Sequence, residues 1–391
     1  MRKKVLIYNV ADYTSTSTTR YYMHVLDEIG VDYKVILNRE SDDDIVADYY
    51  VPVLWYKRKD SVDLMSEIVI RENPDYILGL EEPTLPIVAE TNDKFGLPGY
   101  TTKVTNVVCS KDEWGKFCRR VGIGIPDHKI ITTLRELEVD YDFILKPDWG
   151  NGSTHVIKST TRTIDEDIFD YDQDFLGSLL CQKMLSVDGF ICITFFCNDT
   201  DVYFTSLSNR LVDENGIPIL DITGETEQTK KYFDIGKKYI RKAVKALGAK
   251  NVQGISEMLV ENGKVYWTDP NFRSGTFSCL SLYKEHGVDH AKESIRSFLD
   301  PDYEPFLDWS TNKHVSWMAI DNSYSWSGLS NETAKTVAPN IKLIDNYYWS
   351  GGSFHPEHEV TSQPKILMVS GVSPKDNDRI LNSYRLRKWR L

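Results

Sequence analysis

Glu257, Asp269, Asn271 and Arg273 bring two carboxylates, a carboxamide and a guanidinium into one short run, EMLVENGKVYWTDPNFR. Hard oxygen donors of this kind suit Mg²⁺, and a cation beside them suits a phosphoryl group in transfer. Asp269, Asn271 and Arg273 are two apart, so in extended chain they point the same way. The apolar-rich runs Ile255–Val260 and Lys264–Thr268 flank Glu261-Asn262-Gly263, which predicts a hairpin with its turn at Asn262-Gly263. A two-residue loop pairs Val260 with Val265 and sends Glu257 and Asp269 to opposite faces. A three-residue loop, with Gly263 left-handed in a bulge, pairs Val260 with Lys264 and sets Glu257 opposite Trp267, diagonal to Asp269. Only the second makes a site, and it is the register expected. A polar outer face is the commoner fate of such alternation, but Asp-Pro-Asn-Phe-Arg-Ser-Gly is poorly suited to a solvated strand.

A second group of residues lies upstream. Phe143-Ile-Leu-Lys146-Pro-Asp-Trp-Gly150-Asn-Gly152-Ser153 reads as a strand entering a Gly-rich loop, with a further strand following. Glycines let backbone N–H groups turn toward phosphate oxygens, and Ser153 adds a hydroxyl donor. Lys146, at the end of an apolar strand, gains from an anionic partner. An ordinary hairpin with a Gly-Asn-Gly turn fits the same residues. Lys111 follows Ser110 in the first turn of a helix reaching Arg120, where a lysine is commonly solvated.

The Glu257–Arg273 stretch resembles the metal-binding end of the ATP-grasp superfamily, especially the branch containing biotin carboxylase, carbamoyl-phosphate synthetases and L-amino-acid ligases. The family pattern is an acidic or Gln residue followed, 12 positions on, by Glu-x-Asn-x-Arg; here Asp269 stands where Glu is usual. The resemblance implies that Glu257, Asp269 and Asn271 hold one or two Mg²⁺ ions, replaceable by Mn²⁺, that bridge the ATP phosphates. Arg273 would steady the phosphoryl group or acyl phosphate. Lys146 and Lys111 would reach ATP phosphates under a flap formed by Gly150, Gly152 and Ser153. Leu179–Leu185 resembles the adenine hinge, implicating Gln182, Lys183, Met184 and Leu185, with Asp188 the nearest carboxylate for the ribose. The implied reaction activates a carboxylate as an acyl phosphate, and attack by an amine gives an amide, ADP and phosphate. Carboxyphosphate chemistry on bicarbonate and a non-catalytic ATP-binding module are the alternatives; the chain shows neither a second ATP-grasp copy nor a biotin-carrier segment.

Composition sets the bounds. At 391 residues and 41% hydrophobic, the chain can bury a large core across two or three domains. A net charge of −12 and a sequence pI near 5.2 argue against nucleic acid or an anionic membrane as partner. Small-molecule carboxylate and amine substrates are expected, and a homodimer is an allowed assembly. Six cysteines without CxxC spacing read as reduced thiols, and Met1–Ile7 has neither a signal peptide nor a membrane helix, so a cytoplasmic protein is expected.

These residues need a scaffold. Lys4–Tyr8 reads as a strand, Thr14–Thr19 as a Ser/Thr-rich turn, and Arg20–Ile29 as a helix ended by Gly30. Tyr33–Leu37, Tyr49–Val53 and Tyr76–Gly79 read as further strands, with helix Ser61–Glu72 between the last two; this predicts a parallel α/β layer. No GxGxxG is present, which disfavours a dinucleotide site. Glu81 and Glu82 read as loop surface. Phe190–Cys197 reads as a core strand, Tyr203–Asn209 lies between the hinge and the hairpin, and Lys230–Leu247 and Gly287–Leu299 read as helices. Arg210 is read either as facing a substrate carboxylate or as a surface ion pair. Val315–Ile320, Ile341–Tyr348 and Lys365–Val369 are strands, and Pro374–Tyr384 is a closing helix. His355 and His358 have a metal-like spacing, but the proline after His355 disfavours zinc.

The fold class expected is α/β and α+β: an ATP-grasp fold. It comprises an N-terminal parallel α/β (pre-ATP-grasp) domain over 1–105, an ATP-grasp domain over 106–300 with a mobile lid subdomain at about 128–181, and a β-rich C-terminal part over 301–391.

Overall fold

The structure is a computed structural model that describes residues 2–11, 13–40, 45–53, 58–132, 137, 139–149, 157–159, 178–212, 218–223, 229–274, 288–307, 314–320, 342–344 and 365–371. A parallel sheet of order β3-β2-β1-β4 is built from β1 (Lys4–Asn9), β2 (Asp32–Leu37), β3 (Tyr49–Tyr50) and β4 (Tyr76–Gly79). Both faces are covered, as continuous apolar strands require. Val5, Ile7, Val35 and Leu78 pack with Tyr22, Val25 and Leu26 of α1 (Tyr13–Ile29), while Leu6, Tyr8, Ile36 and Ile77 pack with Met65 and Val69 of α2 (Arg58–Glu72).

The predicted Ser/Thr turn at Thr14–Thr19 is instead the first part of α1. Hydroxyl residues are poor helix formers, but propensity is a weak prior that tertiary contacts override. One such contact is the Asn9 carboxamide at the end of β1, which donates to Thr19 Oγ1 at 2.9 Å. The predicted strand Tyr49–Val53 shortens to two residues. Beyond β4 come α3 (Leu85–Phe95), α4 (Thr102–Val108) and α5 (Lys111–Val121).

A smaller antiparallel sheet of order β5-β8-β6-β7 joins β5 (His128–Ile131), β6 (Phe143–Pro147), β7 (Ile157–Ser159) and β8 (Leu179–Lys183) around Ile131, Phe143, Leu145 and Cys181. The largest sheet runs β13-β12-β9-β10-β11-β14-β16-β15. Its strands are β9 (Gly189–Cys197), β10 (Val202–Val212), β11 (Pro218–Thr223), β12 (Val252–Glu261), β13 (Lys264–Asp269), β14 (His314–Ile320), β15 (Lys342–Ile344) and β16 (Lys365–Gly371). Helix α6 (Lys230–Leu247) lays Phe233, Ile240, Ala243 and Leu247 against Ile193, Phe195 and Met258, and α7 (His290–Leu299) packs beside the first layer. The described cysteines, Cys109, Cys118, Cys181, Cys192 and Cys197, are buried and free. Cys279, His355, His358 and the predicted helix Pro374–Tyr384 lie outside the described residues. No helix among the described residues is long and apolar enough to cross a membrane.

A buried polar network joins the first layer to the large sheet. Gln253 Oε1 accepts from the Tyr22 hydroxyl at 2.9 Å and from Ser294 Oγ at 3.3 Å, and lies 3.1 Å from His290 Nε2. Thr205 Oγ1 is 2.8 Å from His290 Nδ1. Burial pulls the His290 pKa down to about 3. The folded protein therefore keeps this ring neutral where the unfolded chain binds a proton, so stability is full above about pH 6.5 and falls as pH drops below it. Wild type is expected to lose about 2 kcal/mol more than His290→Gln between pH 6.5 and 4.5, measured by urea unfolding at each pH. Equal losses would show that the ring does not titrate as described.

Candidate functional site

The hairpin carrying the carboxylates has a different register from the one expected. Val260 pairs with Val265 and Glu261 with Lys264, leaving a two-residue turn at Asn262-Gly263 with φ of 49° and 74°. Both central residues are left-handed, the turn whose twist matches the flanking strands and which Asn-Gly favours. The extra residue sits further along: Met258 faces Trp267 while Glu257 faces Asp269, so Thr268 forms a bulge. That bulge, rather than a longer loop, brings the two carboxylates directly opposite each other.

An aromatic clamp holds this end of the hairpin. Trp267 Nε1 donates to the Asp269 carbonyl at 3.0 Å, and Trp114 Nε1 of α5 donates to the Trp267 carbonyl at 3.0 Å, with the two indoles edge to face at 4.7 Å. Asn271, at φ 37°, accepts through its carbonyl from Ile255 N at 2.9 Å. That crossing requires Gly254: a Cβ there would stand 2.6 Å from the Phe195 ring and 3.0 Å from the Asn271 carbonyl oxygen.

Around the carboxylates the structure gathers Asn271, Lys146, Lys111 and Arg273. Asn271 Nδ2 is 3.5 Å from Glu257 Oε2, and Lys146 Nζ is 3.9 Å from Asp269 Oδ2. Burial pulls the Lys146 ammonium below the ordinary lysine pKa, with Asp269 opposing that shift. Burial pushes the Asp269 carboxyl up, but Lys146, Lys111 and Arg273 together outweigh it and hold the group below the usual range. Arg273 Nε is 3.5 Å from Glu81 Oε2. Lys111 Nζ is 3.4 Å from the Asp148 carbonyl oxygen. Gly150, Gly152 and Ser153 lie outside the described residues.

Four residues carry more of this site than the sequence suggested. Glu81 and Glu82 are buried rather than loop surface, because they leave the carboxyl end of β4 directly into the cluster. Burial pushes Glu82 up to about 7, against the charges of Lys111 and Arg273. Asp148, just past β6, takes hydrogen bonds from Ser110 Oγ to both carboxylate oxygens at 3.0 Å and from Asp112 N at 2.9 Å, capping the first turn of α5. Arg210, read earlier as a substrate contact or a surface ion pair, is buried and paired with Glu257 Oε1.

The hinge residues sit apart on β8 and just beyond it. Gln182 is buried, Lys183 N donates to the Asp127 carbonyl at 2.7 Å and Met184 N to the Asp142 carbonyl at 2.8 Å. Leu185 follows. Asp188 Oδ2 accepts from Asn262 N at 2.5 Å, so the carboxylate holds the hairpin turn.

Among the described residues no group of three or more His, Cys, Asp or Glu side chains is arranged to hold a metal. Two facing carboxylates with a carboxamide would still suit Mg²⁺, a hard cation that needs only one or two carboxylates from a protein.

The architecture is the ATP-grasp fold. No family model and no curated protein sequence matches the chain. Among solved structures, it is similar to an L-amino acid ligase from Bacillus licheniformis, at 15% identity over 98% of this chain and 97% of that one with a TM-score of 0.75. It is similar to an ADP complex of N5-carboxyaminoimidazole synthetase from Staphylococcus aureus, at 13% identity, 98% and 97% coverage and a TM-score of 0.71. A biotin carboxylase in complex with beta-gamma-ATP, from Campylobacter jejuni, matches at 15% identity, 95% and 88% coverage and a TM-score of 0.67.

Gly254→Ala is expected to destabilise the protein by about 1–3 kcal/mol in denaturant unfolding, because the loop carrying Asn271 cannot stay against Ile255. Unchanged stability would mean the crossing is looser than its distances indicate.

Proposed function

We propose that the chain is an ATP- and Mg²⁺-dependent carboxylate–amine ligase that releases ADP and phosphate. The observation that carries this reading is the convergence of Glu257, Asp269 and Asn271 with Lys146, Lys111 and Arg273 at the bulged end of one hairpin. The likeness to an L-amino acid ligase and to N5-carboxyaminoimidazole synthetase supports the class.

In this reading Glu257, Asp269 and Asn271 hold one or two Mg²⁺ ions, with Mn²⁺ able to substitute. The bound cation supplies charge neutralisation at the phosphate oxygens. Lys146 and Lys111 hold the phosphates, beneath a flap containing Gly150, Gly152 and Ser153. The segment Gln182–Leu185 takes the adenine, with Leu185 following the two N–H groups already engaged. A substrate carboxylate oxygen attacks the terminal phosphorus, the bond to the ADP oxygen breaks, and an acyl phosphate results. An amine nitrogen then attacks the acyl carbon, inorganic phosphate leaves, and the amine gives up a proton. Arg273 stabilises negative charge as it develops, while the protein's main contribution is positioning.

ADP release is expected only with a carboxylate substrate, and hydroxylamine should trap the activated acyl group as a hydroxamate. Bicarbonate as the sole required acid would instead favour carboxyphosphate chemistry. Arg273→Ala should lower kcat by on the order of a hundredfold or more while ATP affinity is largely kept. Tight Mg·ATP binding with no ADP formed from any carboxylate and amine pair would sink the ligase reading. Separately, Lys146→Ala should weaken nucleotide binding measured by calorimetry, and unchanged affinity would remove Lys146 from the phosphate site.

A further inference from the structure

We infer that Arg210 opposes loading of a bare divalent cation, so that the metal position fills together with an anionic ligand rather than ahead of it. This rests on the reading of Glu257 and Asp269 as the cation's carboxylates.

Arg210 lies on β10, two strands away from β12, with Phe190 of β9 as its register partner. Its guanidinium carbon stands over the Phe190 ring, 5.2 Å from the centroid, and the group reaches across β9 to Glu257 Oε1. The arginine side chain is only 6% exposed, whereas that of Glu257 is 25% exposed, so the carboxylate has an open side and the guanidinium does not. A guanidinium cannot shed its charge in a protein, and its place over the Phe190 ring keeps that charge beside Glu257. It therefore stands on one oxygen of the carboxylate that a cation needs, with Asn271 Nδ2 beside the other.

A divalent ion arriving alone must share Glu257 with this fixed positive charge. It must also enter the field that Lys146, Lys111 and Arg273 already impose on Asp269. Leaving a buried arginine with a weakened partner is costly. Polyphosphate oxygens reverse the balance, because they bring negative charge to the cation and to the lysines together. Arg210 thus acts as a positioning residue that makes metal entry conditional on the anion.

Nucleotide-free protein is titrated with Mn²⁺, free ion being read from its electron paramagnetic resonance signal, and unfolding temperature is followed in parallel. Arg210→Met and Arg210→Gln should each bind Mn²⁺ about tenfold or more tightly than wild type, the scale of a close charge pair, with a correspondingly larger thermal shift. Arg210→Lys keeps the charge and should stay near wild type. The double variant Arg210→Met with Glu257→Gln should lose the gain. Equal or weaker Mn²⁺ binding by whichever charge-removing variant folds would overturn the inference, leaving Arg210 as a residue that only orients Glu257. A gain that survives Glu257→Gln would instead overturn the metal-site reading on which it rests.

Discussion

Thr268, the unpaired residue of β13, sets the geometry on which the candidate site depends. Strict two-residue alternation after the Asn262-Gly263 turn would face Asp269 away from Glu257. One bulged residue restores the shared face and bends the strand end. The bulge is fixed from both sides: Trp267 and Trp114 pin the backbone beside it, and the Asp188 carboxylate holds the turn that sets the count. From that point Asn271 can cross above Gly254 and return its side chain toward Glu257.

The electrostatics then follow from crowding. Asp269 stays ionised because three cations outweigh the effect of its burial, and Lys146 is tolerated in the interior because Asp269 stands near it. Glu81 and Glu82 bring acidic groups from the end of the parallel sheet, and Glu81 takes up Arg273. The charged groups come from distant parts of the chain, so the cluster couples the first layer, α5, the small sheet and the large sheet. The Tyr22–Gln253–His290 network does the same on the buried side.

What the sequence made legible was local. The hairpin, the strand ending at Lys146, helix Lys230–Leu247 and the parallel first layer follow from periodicity and turn residues. The register was not, because a longer turn and a bulge absorb the same odd residue and periodicity cannot choose between them; the Asn-Gly pair was the available signal, and it pointed to the short turn. The helical start of α1 was hidden by its hydroxyl residues. Glu81, Glu82 and Asp148 gain their roles from elements distant in sequence, so nothing near them marked them out, although the end of a buried parallel strand is a place where sites form. Asp188 lies near the hinge along the chain, and its bond to the Asn262 N–H depends on a turn distant in sequence.

The order of the large sheet has a consequence for biosynthesis. β11 is complete by Thr223, but its outer neighbour β14 begins only at His314, and β16 then inserts between β14 and β15. A growing chain that has emitted the candidate site, which ends at Arg273, therefore still displays an open β11 edge, with unpaired backbone donors and acceptors, until β14 begins at His314, a delay of roughly a few seconds at ordinary synthesis rates. Such an edge can pair with another nascent chain. The vulnerable interval of this fold falls after its charged cluster is encoded and before its sheet is closed, so slowing translation across the last strands would favour aggregation over folding.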